Sequence, residues 1–379
     1  MRITFILPQP GLSGGIRVIA IYAERLRRKG HDVLLVHPPN YQPPLTQRVR
    51  SVLRGEGWPR IPYVYPSHLD GLDVPKKMLD RWRPVMADDL PDADVVVATW
   101  WETAEWVAAL PARKGAKAYF IQHYEVHDSQ PIARVKSTWS LPMHKIVVAQ
   151  WLADIARDEF GDGDVALVPN SVDSELFTAE PRGKQPNPTV GFMHAVVPWK
   201  GTDLVVDAVR IAREGGLPVQ CKTFGMHAPD RGNPIPDGAE FTLLPTQEAL
   251  RNIYASCDAW IVASRSEGFG LPILEAMACR TPVIATPAGA APELIANGGG
   301  MLVPHESPRA IADAIRAFAE MSAESWQSMS EAALSTARAY TWADATNRFE
   351  DALRNACSKS TRLARSRMTA PTAEIGAGA

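Results

Sequence analysis

The stretch from Ala259 to Thr286 constrains this chain more than any other: AWIVAS, then RSEGFGLPILEAMACR, then TPVIAT. Two short apolar runs flank a glycine loop and a helix-compatible segment. Pro272 suits the first helical position, where its fixed φ helps and its missing N–H costs little. Strand, loop, helix and strand make one βαβ unit, and ligands on such units bind at the carboxyl ends of the strands. That end is the loop Glu267-Gly268-Phe269-Gly270-Leu271. Its two glycines let backbone approach a ligand, and the helix behind it presents unpaired N–H groups to anions. Glu275 is expected in the first turn of that helix, near whatever the loop holds. A solvated Glu267 and a dipole-favoured Glu275 are the plain alternatives. The assembly of strand, glycines, proline and two acids is what argues for a ligand.

The same alternation runs along the whole chain, which calls for parallel sheets covered by helices. In the first half RITFILP, DVLLVHP, ADVVVAT, AKAYFIQ, KIVVAQ and DVALVPN read as strands, and GIRVIAIYAERLRRKG as an amphipathic helix ending at Gly30. Residues 41–90, rich in proline and scattered aromatics, read as irregular. A polar, proline-rich break, TAEPRGKQPNP, precedes a fresh first strand, TVGFMHA, and a second α/β series. At 379 residues the chain has room for two such domains. The expected division is 1–178, 188–340, a crossover helix at 341–357 that returns to the first domain, and a disordered tail at 358–379. Two Rossmann-like domains facing across a cleft is the expected architecture, with the active site in the cleft.

Composition removes several classes of function. A net charge of -2 offers no global field for nucleic acid. Four scattered cysteines without metal-ligand spacing read as thiols of a reducing compartment. The opening MRITFILPQP reads as a first strand rather than a signal peptide, so a cytoplasmic location is expected. The basic cluster in the tail reads chiefly as solvated, with weak peripheral contact to an anionic inner membrane face as the alternative.

Other segments place chemistry at strand ends. Gly11, Gly14 and Gly15 form a loop before the first helix, a good diphosphate cradle but not the G-x-G-x-x-G of a dinucleotide site. Lys200 and Gly201 follow the strand that opens the second half, where a lysine neutralises phosphate as a point charge. His194 lies six residues earlier, as a second donor or an ordinary strand-end residue. His123 ends another strand, and Trp100 with Trp101 stands where a sugar face would stack.

With these residues laid out, the chain resembles the retaining, metal-independent glycosyltransferases of the GT-B fold, family 4, over about residues 1–357. SEGFGLPILEAMACRTPVIATPAGAAPELI resembles the E-x7-E signature and its flanks; GGIRV…LRRKGHDV, PNSVDSELF and WKGTDLVVDA match further blocks. The resemblance implies a hexosyltransferase-type enzyme that moves a sugar from a nucleotide diphosphate sugar to an acceptor hydroxyl with retained configuration. It implies no cofactor and no metal. Glu267 would contact donor-sugar hydroxyls, and the amides of Gly268, Phe269, Gly270 and Leu271 would hold sugar and diphosphate. Glu275 would take the ribose hydroxyls. Gly14, Gly15 and Lys200 would bind the diphosphate, and His123 would sit beside the transferred sugar. The partners implied are that donor and a saccharide, lipid-linked or small-molecule acceptor, without nucleic acid. Two departures stand out. The family's Arg five residues before the lysine is replaced by Ala195, with His194 the nearest substitute; and Arg280 stands where Gly is common. A catalytically impaired nucleotide-sugar-binding protein, or a GT-B phosphorylase or epimerase, remains as the alternative reading.

Overall fold

The computed structural model describes residues 1–55, 57–58 and 66–369, with side chains followed to residue 362. The chain divides into two compact units. Unit 1 holds Met1–Val147, Ala153–Leu167 and the residues from Thr346 onward; unit 2 holds Val148–Leu152 and Val168–Ala345.

Unit 1 is built from β1 (Arg2–Ile6), α1 (Gly14–Arg28), β2 (Asp32–His37), α2 (Leu45–Leu53), β3 (Lys76–Met78), β4 (Val95–Ala98), α3 (Trp101–Ala109), β5 (Ala116–Ile121), α4 (Ile132–Thr138), β6 (His144–Val147), α5 (Gln150–Phe160) and β7 (Ala166–Leu167). Its strands form a parallel sheet in the order β3-β2-β1-β4-β5-β6-β7. β1 and β4 are buried almost throughout, as strands covered by helices on both faces must be. α1 is started by Ser13, whose Oγ accepts from the Ile16 amide, and is ended by Gly30 at φ 88°. Residues 41–90 are not wholly irregular: they supply α2 and the edge strand β3. Residues 56 and 59–65 of that span lie outside the described residues.

Unit 2 continues with β8 (Thr189–His194), α6 (Thr202–Glu214), β9 (Gln220–Gly225), β10 (Glu240–Leu243), α7 (Gln247–Ala255), β11 (Ala259–Val262), α8 (Leu271–Ala278), β12 (Val283–Ala285), α9 (Ala291–Ile295), β13 (Gly300–Leu302), α10 (Pro308–Glu320) and α11 (Ala323–Arg338). The sheet order is β10-β9-β8-β11-β12-β13, again parallel. Its core packs Val190, Phe192 and Ile261 of the sheet against Val205 and Val209 of α6 and Ile311, Ile315 and Phe318 of α10. The polar break at 178–188 is docked here rather than hanging free. Arg182 lies 4.7 Å from the Trp326 ring, and Lys184 Nζ donates to the carbonyls of Ala319 and Met321 at 2.7 and 2.8 Å. Asp258 accepts from the amides of Gln185 and Thr189, tying the break to the first strand.

The last helix, α12 (Trp342–Thr369), outruns the crossover helix expected at 341–357. Phe349 on α12 stacks on Tyr22 at 4.3 Å and on Phe5 at 6.1 Å, and meets Phe120 edge-on at 5.0 Å. The helix runs on into the expected tail as far as Thr369; residues 370–379 lie outside the described residues. No helix among the described residues is long and apolar enough to cross a membrane.

Candidate functional site

In unit 2 the strand order reverses between β8 and β11: β9 and β10 lie to one side, β12 and β13 to the other. At such a switch point the loops leaving the two central strands diverge and leave a crevice at the carboxyl edge. The loop after β8 carries Lys200, and the loop after β11 carries Glu267. The two meet: Lys200 Nζ donates to Glu267 Oε1 at 2.6 Å, and Ser264 Oγ donates to the same oxygen at 2.8 Å.

Each loop is held rigidly. Gly201 sits at φ +68°, and a Cβ there would fall 1.9 Å from the Ala263 carbonyl oxygen, so only glycine lets the β8 loop lie against the β11 loop. Thr202 Oγ1 accepts from the Ala195 amide and donates to the Ala195 carbonyl, both at 3.0 Å, closing the loop at its base. Arg265 completes the fastening. Its guanidinium pairs with both oxygens of Asp203 at 2.9 and 2.7 Å and of Glu306 at 2.6 and 2.9 Å, and donates to the Pro198 carbonyl at 2.6 Å. Its backbone amide donates to Trp199. Planar two-point pairing of this kind fixes geometry as well as charge.

The glycine loop lies beside this pair. Gly270 takes φ +100° and caps α8, which begins at Leu271, with Pro272 in its second position. The helix thus starts one residue earlier than the proline suggested, and Glu275 falls in the second turn rather than the first. Its carboxylate is buried and accepts from the Tyr254 hydroxyl at 2.8 Å. Trp151 Nε1 donates to the Gly268 carbonyl at 2.8 Å, and the Ala290 amide to that of Phe269 at 3.0 Å. Behind them Gly289, at φ +61°, would bring a Cβ within 2.8 Å of Glu267. Arg280 occupies a left-handed position, φ 59°, just past α8, which accounts for glycine being common there. Its side chain repays that strain by donating to the Ala179 carbonyl and pairing with Glu331.

His194 stands at a strand end, as one of its two readings had it. It is the last residue of β8, only 2% exposed, with its ring edge-on to Phe241 at 5.8 Å. Burial lowers its pKa, so the ring is held neutral. Asp230 and His227, in the loop after β9, are the charges that act on it. The buried thiols Cys257 and Cys279 are pushed up to about 12, which removes them as nucleophiles.

Unit 1 repeats the plan. Its order reverses between β1 and β4, and Gly14 and Gly15 open α1 beyond β1. Gln122, directly after β5, donates from Nε2 to the Gly15 carbonyl at 3.2 Å, which links the glycine turn to the segment carrying half-buried His123. Of the tryptophan pair, Trp101 is core, bonded to Gln130, while Trp100 remains partly open at the sheet edge. Glu125 lies on the same edge, bonded to the Trp100 side chain, with its Oε2 sealed from solvent and without a partner among the described residues. Burial raises its pKa to about 8. Ser264, Arg265, Thr202, Tyr254 and Gln122 were not singled out from sequence. The partners of Arg265, Tyr254 and Gln122 lie far along the chain, so no local spacing marked them.

Two parallel α/β units, each with polar loops converging on its switch point, describe a GT-B-type protein. Residues 174–336 match the family model of glycosyl transferases group 1, and residues 12–176 match that of Glycosyltransferase Family 4. Between them they span both sheets, and the chain belongs to the group 1 glycosyltransferases of the GT-B fold. It is 31% identical over 201 residues to a D-inositol 3-phosphate glycosyltransferase of Mycobacteroides abscessus, covering 47% of this chain and 43% of that one. It is likewise 31% identical over 205 residues to the protein of that name from Actinosynnema mirum, covering 47% and 48%. The match thus spans a little under half the length of these relatives. Among solved structures, Anabaena Alr3699/HepE in complex with UDP and glucose superposes with a TM-score of 0.71 at 16% identity, over 93% of this chain and 99% of that one. Sucrose-phosphate synthase from Thermosynechococcus elongatus gives 0.71 at 18%, over 94% and 98%.

Proposed function

We propose that the chain transfers a sugar from a nucleoside diphosphate sugar to an acceptor hydroxyl, with retained configuration and without a metal. The observation that carries this is the meeting of Lys200 with Glu267 at the switch point of unit 2, beside the amino end of α8. Cleavage of a sugar–phosphate bond leaves charge on the departing diphosphate. A lysine ammonium and the unpaired amides of Gly270 and Leu271 supply fixed positive ends there, which is the need a metal otherwise meets. Glu267 Oε1 already takes two donors, so a sugar hydroxyl would donate to Oε2. Glu275, one turn into α8, is the acid for the ribose hydroxyls. Such two-point holding orients the anomeric carbon before reaction. No side chain is assigned as a nucleophile; same-face attack by the acceptor is the route proposed. The Anabaena Alr3699/HepE structures, in complex with UDP and glucose and with UDP-glucose, support a nucleotide-sugar donor.

Calorimetric titration of UDP, GDP, ADP and dTDP, followed by transfer assays with the sugar of the tightest binder, tests the reading. Binding of one of them, weakened by about 10- to 100-fold in Lys200→Ala, is the expected result; no binding of any would overturn it. A second reading, a nucleotide-sugar-binding protein impaired in transfer, is favoured by Ala195 standing where an arginine cation is usual, with only the buried, neutral His194 beside it. Tight nucleotide binding with neither hydrolysis nor transfer would select it.

A further inference from the structure

Three aromatic rings of unit 1 form a ladder that climbs out of the core. Trp106 on α3 is buried, 7% exposed. Trp82 meets it edge-on at 6.4 Å, and Tyr41 meets Trp82 edge-on at 5.5 Å. Exposure rises along the series, to 36% at Trp82 and 44% at Tyr41. Both outer rings stand on connections that leave the carboxyl ends of paired strands, Tyr41 after β2 and Trp82 after β3. The segments beneath them are fastened. Arg83 pairs with both oxygens of Asp89 at 2.6 and 2.9 Å, and Asp89 also accepts from the Met86 amide at 2.7 Å. On the other side Arg48 donates to the Pro43 carbonyl at 2.8 Å and to Gln42 at 3.0 Å. The outer rings are thus held by edge-on packing while much of their surface stays open.

The chemistry of this surface selects its ligand. A rigid, exposed aromatic group marks a place where something binds. Two rings are far too little for a protein partner, which covers about 800 Å². The rim carries both signs: Asp80, Arg81 and Arg83 flank Trp82 in the chain, and Arg83 donates to Asp80 at 3.0 Å. A pyranose matches both parts. Its C–H face lies on an electron-rich ring face, and its hydroxyls reach carboxylates and guanidinium groups at the rim. Neighbouring strands lie about 4.8 Å apart, so β2 and β3 stand roughly 5–10 Å across the sheet from β1, which leads to Gly14 and Gly15. That is the reach of a sugar unit or two. We propose that Tyr41 and Trp82 form a platform for a sugar unit of the acceptor other than the one that reacts, so that the acceptor is a saccharide chain. Calling that chain the acceptor rests on the transfer reading above; its binding to the platform does not.

The test measures binding of the full chain, without donor, to an array of glucose, mannose, galactose, rhamnose and N-acetylglucosamine oligomers of increasing length. The expected result is that one series binds, more tightly as a trimer than as the monosaccharide. Affinity should fall roughly tenfold in Trp82→Ala and in Tyr41→Ala, the upper end of what one aromatic contact contributes, and Trp82→Phe should recover most of it. Unchanged melting temperatures confirm that the variants fold. No oligomer bound by the wild type, or equal binding by both alanine variants, would overturn the proposal; a monosaccharide held as tightly as its trimer would overturn the chain-like acceptor. Titration of UDP, GDP, ADP and dTDP into the same proteins reads the transfer proposal separately. Nucleotide affinity equal in wild type and variants is expected, and its loss in the variants would place the rings in donor binding and overturn the platform. Saccharide bound with no nucleotide bound would keep the platform and remove the transfer reading.

Discussion

Lys200 and Glu267, 67 positions apart in sequence, form a partly buried ion pair at 2.6 Å, with Ser264 bonded to the same carboxylate oxygen. The pair exists because β8 and β11 are neighbours in the sheet, and because Gly201 and Arg265 pin the two loops together. A cation held in place by an acid that would itself contact the sugar is organised before the donor arrives.

Removing either partner should separate their roles. Lys200→Ala is expected to weaken nucleoside diphosphate binding by about 10- to 100-fold, the worth of a charge-assisted hydrogen bond. Glu267→Gln should keep diphosphate affinity within a few-fold while lowering kcat by roughly 100-fold. Calorimetry and steady-state kinetics read the two effects separately.

Gly201→Ala should be among the most damaging single changes in unit 2. The new Cβ would lie 1.9 Å from the Ala263 oxygen at a φ of +68°, combining backbone clash with left-handed strain. A loss of about 2–4 kcal/mol is expected from denaturant unfolding, together with loss of nucleotide binding because Lys200 is displaced.

Glu125 should make stability fall as pH rises. Its pKa is raised to about 8, first by burial. The residue as a whole is half-buried, but Oε2 is sealed, and it is the carboxyl group that titrates. Between its ordinary value and 8 the native state keeps a proton that the unfolded chain releases, so raising pH through that window favours unfolding. The effect is on the order of a few kcal/mol at most, and Glu125→Gln should flatten it. Urea midpoints from pH 5 to pH 9, compared between the two proteins, check the sign.

Phe349 should anchor α12 to unit 1. Its ring is fully buried between Phe5, Tyr22 and Phe120, and the adjacent Glu350 bonds Lys29, His31 and Arg354. Phe349→Ala is expected to cost about 3–5 kcal/mol, the usual range for emptying an aromatic core position. Thermal unfolding measures it, and proteolysis should then release the carboxyl-terminal segment first.

Much of the fold was legible in local pattern. Apolar runs such as AWIVA and VVVA, the Ser13 cap, the Gly30 stop and the glycines around Phe269 all became the elements their chemistry dictates, because burial on one face or both is written into residue spacing. Position within those elements was less secure. Glu275 moved one residue deeper, from the first turn into the second, because Gly270, rather than Pro272, sets where α8 begins. In 41–90 helix α2 was hidden among prolines, and the outward direction of its apolar residues has no signature in periodicity, which marks a face without saying what the face meets.

By itself the sequence determined the alternation of strands and helices, the two α/β units and the residue types available at each strand's carboxyl end. Only the tertiary structure decided that β8 should lie beside β11, so that Lys200 finds Glu267, and that His194 should turn inward against Phe241. It also brought Arg265 to Asp203 and Glu306, and Gln122 to Gly15. The reason is physical: periodicity encodes which face of an element leaves water. Strand order and loop partners are settled by packing and hydrogen bonding among residues tens of positions apart, which no local window contains.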